Sequence, residues 1–448
     1  MALVTVAVLV SVCGYAADPA VKSYCDLRLR TDYDYRKQGD EKDSDIYGYL
    51  YGSGHDLLNG NLDFYVSGRL SRDLDKPSTV SVADDMYLSV ADMRHAAENR
   101  LLQAYIDAHD RDRNMRLRAG RQYVDVADYL LIDGALTTFN ENGRLGFGIY
   151  SGTPVSFYDS ISGDRAGGLF LTGRPWDGNR TRISYARYIA DGGVWDYNYA
   201  FDSEQALSDS IRLAARASML NDDFRMASLD GYYISPDGKT DFLLGGSRWG
   251  EFTAETRAFS PIFSVLGEQR PYTYGYAKLT QQIIPSILIS PGISYRWVDS
   301  GDEDFGNRTY KDYNVTLIFE PVRAFSSSIS VDYWNVEKKD KFLGLSGDVR
   351  YRYQRRWEVS VGAAYASYTY DTYSDISYSV NGGQEIFSEN GTVITQTPEV
   401  LTYYFRAKWN VSKNLILKIQ GTVEDDSNAG NETSALGFSG RGSVEVRL

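Results

Sequence analysis

Gly440-Arg-Gly-Ser-Val-Glu-Val-Arg-Leu448 closes the chain, and the way it alternates decides the fold. Successive side chains of an extended strand point to opposite faces. Val444, Val446 and Leu448 therefore share one face, and Ser443, Glu445 and Arg447 share the other. A strand apolar on one side and charged on the other suits hydrocarbon outside and water inside. Upstream segments repeat the pattern. Ile211, Leu213, Ala215, Ala217 and Met219 oppose Arg212 and Arg216, and Tyr313, Val315, Leu317 and Phe319 oppose Asp312, Asn314 and Glu320. Val349, Tyr351 and Tyr353 oppose Asp348, Arg350 and Arg352, while Trp357, Val359, Val361, Ala363 and Tyr365 line up on one side. A charge facing lipid at mid-depth costs roughly 2–4 kcal/mol, so the charged faces should turn inward.

Composition agrees with strands in a membrane. The 448 residues include 36 Tyr and 41 Gly but only 11 Pro, 3 His and 2 Cys. Tyr suits a water–lipid boundary, and Gly relieves crowding where strands tilt and bend. A large soluble all-β protein is the competing reading of the same composition. Residues 1–12 are apolar apart from Thr5 and Ser11, and Gly14-Tyr-Ala-Ala17 offers small residues for cleavage, so 1–17 reads as a secretory signal without a basic start. Val10-Ser-Val-Cys13 has the outline of a lipoprotein box, but Val12 stands where a small residue is needed. Beyond residue 17 no apolar run approaches the roughly 20 residues of a spanning helix. Removal of 1–17 would leave Cys25 alone, with no internal disulfide and no thiolate zinc site. The formal charge of -13 argues against a nucleic-acid partner.

Connections along the chain sort by length. Short ones rich in Gly, Asn, Pro or Asp fall at 58–61, 110–114, 140–143, 175–179, 235–238, 284–286, 354–356 and 411–414, as tight hairpins require. Long ones fall between them, at 73–99, 125–134, 151–165, 253–270, 299–308 and 371–398, with an acidic loop at 37–45. Short turns on the periplasmic side and long loops outside are the habit of bacterial barrels, and a soluble sandwich has no reason to sort loops by parity. The fold expected is all-β: a transmembrane antiparallel up-and-down β-barrel over 18–448, with no plug domain. It should have about 22 strands, or about 20 if the short segments 135–139 and 168–173 are misread.

Little in the sequence specifies chemistry. His55, His95 and His109 sit in no zinc-protease or haem-attachment spacing, and both His55 and His109 precede turns, which reads as solvated residues. No catalytic residue, cofactor or metal ligand is assigned. Acidic stretches at 40–45, 302–304 and 424–426 could hold divalent cations that bridge surface lipopolysaccharide, though solvated acids are the plainer reading. Thr253–Arg270, with its apolar Phe259-Ser-Pro-Ile-Phe263, is a candidate to fold into the lumen as a constriction, to cap the rim or to touch a partner, and Tyr129-Leu-Leu-Ile-Asp133 is a second candidate for the same role.

The C-terminal stretch resembles the assembly signal of outer-membrane β-barrels, with Leu448 in place of the commoner terminal Phe or Trp. Arg116-Leu-Arg-Ala-Gly-Arg-Gln-Tyr123 followed by Asp133-Gly-Ala135 resembles a strand-and-loop segment of porin-like barrels from Gram-negative, metal- and sulfur-reducing bacteria. Arg121 breaks the alternation after Gly120, which predicts a β-bulge. The resemblance implies an outer-membrane channel for small hydrophilic solutes or ions. Arg116, Arg118, Gln122, Arg212, Arg216, Asp348, Arg350, Arg352, Arg441, Glu445 and Arg447 would line its pore. Arg116, Arg118 and Gln122 either form a positive ladder or pair with acids of neighbouring strands. The implied partners are outer-membrane lipid, lipopolysaccharide and the barrel assembly machinery. The alternative is a barrel sheathing a periplasmic multihaem cytochrome in an electron conduit; that would need a wide lumen, where a channel would carry loops against its inner wall.

Overall fold

The computed structural model describes residues 23–448 except 39–40, 75–98, 127, 142, 156–162, 252–253, 255, 257–270, 300–307, 337–339, 355, 382–383, 398 and 427–434; at 38, 41, 128, 370–396, 426 and 435 it describes the backbone alone. The expected signal at 1–17, His95, the acids at 302–304 and the Phe259–Phe263 stretch lie outside the described residues.

Strands follow one another with little else between them. In chain order they are β1 (Tyr24–Gln38), β2 (Glu41–Asp56), β3 (Leu62–Asp73), β4 (Arg100–His109), β5 (Met115–Val126), β6 (Asp128–Phe139), β7 (Leu145–Pro154) and β8 (Arg165–Gly173). Then come β9 (Asn179–Ile189), β10 (Trp195–Ala206), β11 (Ile211–Leu220), β12 (Asp223–Ile234), β13 (Thr240–Trp249), β14 (Tyr272–Ile284), β15 (Ile287–Val298) and β16 (Tyr310–Val322). The last are β17 (Phe325–Val336), β18 (Lys341–Tyr353), β19 (Trp357–Asn381), β20 (Gln384–Gln396), β21 (Glu399–Asn410), β22 (Leu415–Asp426) and β23 (Ala435–Arg447). Neighbours pair antiparallel, and β23 returns to β1 from Arg28↔Arg447 to Gln38↔Gly437. The terminal stretch is thus the closing strand of the barrel.

The wall holds 22 strands although 23 form among the described residues. The first part of β19 pairs with β18 and β21, whereas Tyr370–Asn381 pairs only with β20. The segment expected as a loop at 371–398 is therefore largely a two-stranded ribbon continuing past the wall. Two other expected loops also turn out to be ladder. β1 and β2 pair from Tyr24↔His55 to Gln38↔Glu41, through the supposed loop at 37–45, and β5 and β6 pair as far as Val126↔Asp128. The bulge expected at Gly120 is absent: β5 pairs without a register shift with both neighbours, and the nearest shift lies between β3 and β4 at Ser67/Gly68. Parity of loop length holds in one direction only. No connection at the end bearing the β2–β3 turn exceeds five residues, whereas those at the other end range from one residue between β5 and β6 and two at 221–222 to the long stretches.

Hairpin chemistry at the short-turn end is local. In Ser235-Pro-Asp-Gly238, Gly238 takes φ 68°, which it adopts without a Cβ penalty. Asp237 accepts from the Ser235 hydroxyl at 2.6 Å and the Lys239 N–H at 3.1 Å, and these hold its carboxyl below the usual range.

The outer face is apolar and open. Phe147, Ile149, Leu169, Leu171, Ile183, Leu229, Leu244, Ile293, Ile329 and Ile419 are each 47–59% exposed, and all fall on one side of the register. In water so large an apolar surface would drive association; around a barrel it is the lipid belt. Trp357 and Trp409 stack at 4.7 Å on this face at the short-turn end, and Trp297 and Tyr33 occupy it towards the other, the two ends of an aromatic-edged belt. Cys25 is disulfide-bonded in the uncut chain, and its expected isolation concerns the chain after removal of 1–17.

The two faces of β17 make the argument testable. Ile329→Arg should destabilise the refolded barrel by roughly 2–4 kcal/mol, whereas Ser330→Arg on the opposite face should cost much less. Denaturant titration of vesicle-embedded protein measures both; equal penalties would remove the inside–outside assignment.

Candidate solute pathway

Inward positions follow from register. Arg116, Arg118, Gln122, Val124 and Val126 share the inner face of β5, opposite Thr138, Leu136, Ile132, Leu130 and Asp128 of β6. Near its tip this hairpin leaves the wall and folds inward over the adjoining strands, so that β5 touches β8 and β9, which are not its neighbours. Val124, Val126, Leu130 and Ile132 pack against Tyr150, Phe170, Ala186, Tyr188, Ala200 and Leu220 from the inner faces of β7 to β11. Ile132, Ala186, Tyr188 and Leu220 are fully buried, which a bare barrel wall could not achieve. Burying each aliphatic side chain contributes about 1.5–3 kcal/mol, enough to offset the ordering of a short hairpin.

The inner wall beneath is shaped to receive it. Gly148 lies directly opposite Phe170, and Tyr150 opposite Gly168. A Cβ at Gly148 would stand 2.3 Å from the Phe170 ring, and one at Gly168 would stand 2.6 Å from the Tyr150 ring. Each ring therefore lies flat over a neighbouring glycine and leaves room above for the hairpin. Polar ties fix the tip: Arg182 of β9 donates to the Asp125 carbonyl at 2.7 Å, and its guanidinium sits 5.4 Å from the Phe170 ring. A second inward segment joins them. The Thr256 N–H and hydroxyl both donate to Asp196 at 2.7 Å, Asn221 donates to its other oxygen at 2.5 Å, and Ala254 packs on the apolar cluster. Both segments expected to fold inward thus do so where they are described.

Among the residues expected to face the pore, Arg116 and Arg118 converge on Asp107 of β4, at 2.6 and 3.0 Å, with Arg118 stacked 4.4 Å from the Tyr105 ring. They pair with the neighbouring strand rather than stand free. Gln122 is fully buried and donates to the carbonyls of Arg118 and Gly134 at 3.3 and 3.2 Å, so it faces packed protein. Arg216 lies 3.2 Å from Asp202, and Arg212 is on the same inner face, exposed. Arg352 meets Glu358 at 3.1 Å. Glu445 accepts from Lys418 at 3.1 Å and Arg447 at 2.8 Å, and Arg441 grips Asp34 of β1 with two donors across the closing seam.

The remaining residues lie together. A recess of about 540 Å³ in the inner wall runs from β18 round to β1. Its charged lining comprises six bases (Arg30, Arg350, Arg406, Lys408, Lys418, Arg441) and three acids (Asp32, Asp348, Glu358). The acids are engaged: Asp32 by Arg30 at 3.1 Å, Asp348 by the Ser328 hydroxyl, and Glu358 by Arg352. Arg350 bonds only the Ser326 hydroxyl, at 3.1 Å, and Arg406 and Lys408 form no ion pair among the described residues. In a chain of formal charge -13, this arc is locally positive.

Arg406 and Lys408 were not singled out from sequence, although their alternation with Phe405, Ala407 and Trp409 carried the signal. The inward tyrosines were also missed. Tyr47, Tyr49 and Tyr51 face the lumen on β2, with Arg30 4.1 Å from the Tyr49 ring. Tyr residues read only as boundary residues hid this, because Tyr-Gly-Tyr-Leu-Tyr has no charge to say which face is which.

No family model matches the chain, and no curated protein matches it. Among solved structures the chain is similar in outline to Pseudomonas aeruginosa OccK1 (OpdK), at 10% identity over 95% of this chain and 98% of that one, with a TM-score of 0.44. It is similar to a BenF-like porin from Pseudomonas fluorescens Pf-5 at 11% identity, 95% and 98% coverage and TM-score 0.45. Pseudomonas aeruginosa OccK3 (OpdO) gives 12% identity, 95% and 96% coverage and TM-score 0.41. Likenesses this distant carry no residue across.

The hairpin's hold on the wall predicts a conductance effect. Ile132→Asp places an unpaired charge in a fully buried site and should release the tip, so single-channel conductance in planar bilayers should rise severalfold with the barrel still folded. An unchanged conductance would show that the hairpin does not narrow the path.

Proposed function

We propose that the chain is a passive outer-membrane channel for small hydrophilic solutes, with a preference for anions. The observation that carries this reading is a closed wall, apolar outside and charged inside, whose lumen is narrowed by its own hairpin. A wall of 22 strands encloses a bore wide enough to leak, so narrowing from within is what a sieve needs. A sheath around a cytochrome needs a clear bore, and the β5–β6 hairpin, Ala254 and Thr256 stand in it. The long loops would then face the cell surface and the short turns the periplasm, with lipid, and lipopolysaccharide in the outer leaflet, around the belt.

Selectivity follows from the arc on β18 to β22. Arg350, Arg406 and Lys408 offer positive charge without a carboxylate partner, in a recess where low-dielectric walls strengthen the field felt by a passing ion. Anions gain there and cations are repelled.

Reversal potentials in a potassium chloride gradient test this reading. The protein should pass chloride in preference to potassium. Arg350→Gln, Arg406→Gln and Lys408→Gln combined should move the reversal potential towards cation selectivity, with the effect shrinking at high salt as screening shortens. A protein that forms no ohmic steps, or whose selectivity ignores the triple substitution, contradicts the proposal.

A further inference from the structure

At the short-turn end of β2 to β4, two of the chain's three histidines converge on one aspartate. His109 Nε2 lies 3.5 Å from Asp63 Oδ1, and His55 Nδ1 lies 3.9 Å from Asp63 Oδ2. Asp56, the last residue of β2, joins them: one donor atom each from Asp56, Asp63 and His109 lie within 4.8 Å of one another. Residues of three strands, separated by up to 54 residues in sequence, thus meet at a single point.

His109 sets this cluster apart from a solvated group of acids. It is only 7% exposed, against the solvated residue expected from its place before a turn. Its Nδ1 is 2.9 Å from the Asp110 carbonyl, which can only accept, so Nδ1 carries a proton. In the neutral ring Nε2 then holds a lone pair. That atom is buried, has no hydrogen-bond partner, and points at Asp63. An imidazole anchored through one nitrogen to a backbone carbonyl, with the other aimed at carboxylates, is how histidine ligands are oriented on metals.

We propose that Asp63, Asp56 and His109, with His55 as a further donor, form a site for a first-row divalent transition metal of the zinc class. Ligands on a tetrahedral zinc at about 2.0–2.1 Å stand roughly 3.4 Å apart. The His109–Asp63 separation of 3.5 Å already matches. Imidazole with carboxylate selects zinc-like ions over calcium or magnesium, which take oxygen donors. Arg113 of the β4–β5 turn spans the two carboxylates, its guanidinium nitrogens 3.1 Å from Asp56 and 3.1 Å from Asp63. It is the competing cation. A bound metal takes its place and pins the first strands together at the periplasmic mouth.

The test uses refolded full-length protein without an affinity tag, titrated with Zn²⁺ and, for its visible spectrum, with Co²⁺. The wild type should bind one equivalent, and His109→Ala and Asp63→Asn should each weaken binding by at least about 10-fold, the scale expected for disturbing a metal shell. Arg113→Gln should tighten binding, since it removes the competitor and leaves the ligands. Cobalt should give the intense visible bands of a low-coordinate, nitrogen-bound ion, lost in His109→Ala. If His109→Ala does not refold, Arg113→Gln and the cobalt bands of the wild type decide alone. Zinc bound without dependence on His109 or Asp63, binding weakened by Arg113→Gln, or a cobalt spectrum of a hexaaqua-like ion would each overturn the site and leave only an ion-pair cluster.

Discussion

Every backbone N–H and C=O in contact with hydrocarbon must find its partner within the protein, because lipid offers none. A sheet can meet that demand only by closing. Here the requirement falls on the pairing of β1 with β23, which joins the two ends of the chain, and on Arg441, whose guanidinium holds Asp34 across the same seam. Once the wall is closed, the alternation of side chains divides every strand between lipid and lumen. Each later property of the molecule inherits that division.

Closure creates a second problem, since a wall of 22 strands surrounds more space than its own side chains can fill. The chain answers without a separate plug among its described residues. One hairpin bends inward, its aliphatic face meets aromatic rings on the adjoining inner wall of β7 to β11, and glycines beneath those rings make the room. The result is asymmetric. Packed protein occupies the side of β5 to β11, and the open recess runs along β18 to β1 with its surplus of unpaired bases. Narrowing and charge are thus supplied by different parts of the wall and can be altered separately.

The architecture was legible in the sequence because one local rule, period-two alternation with charge on a single face, is repeated in nearly every strand. Val444 and Val446 against Glu445 and Arg447 state it at the closing strand, and the register places them accordingly. Boundaries were less legible where a ladder continues beyond the lipid belt: Asp43 and Asp45 read as loop because nothing apolar marks them as strand, and the ribbon of β19 and β20 read as loop although Ile376, Tyr378 and Val380 alternate along it. The path through the lumen was the hardest part to read. Arg116 and Arg118 look the same in sequence whether they face an open pore or, as here, Asp107 on the next strand. Gln122 looks like a pore residue until its hairpin is seen to fold against the inner wall of β7 to β11, and the meeting of His55 with His109 at Asp63 depends wholly on strand order.

A nitroxide scan along β22 in lipid vesicles probes the division of faces most directly, by comparing collision with oxygen, which concentrates in hydrocarbon, against a water-soluble nickel complex. Labels at Leu417, Ile419, Gly421 and Val423 should favour oxygen, and labels at Ile416, Lys418, Gln420 and Thr422 should favour nickel, switching at every residue. A profile with no two-residue period, or one in which both sets meet the nickel complex equally, would mean that no lipid touches this wall.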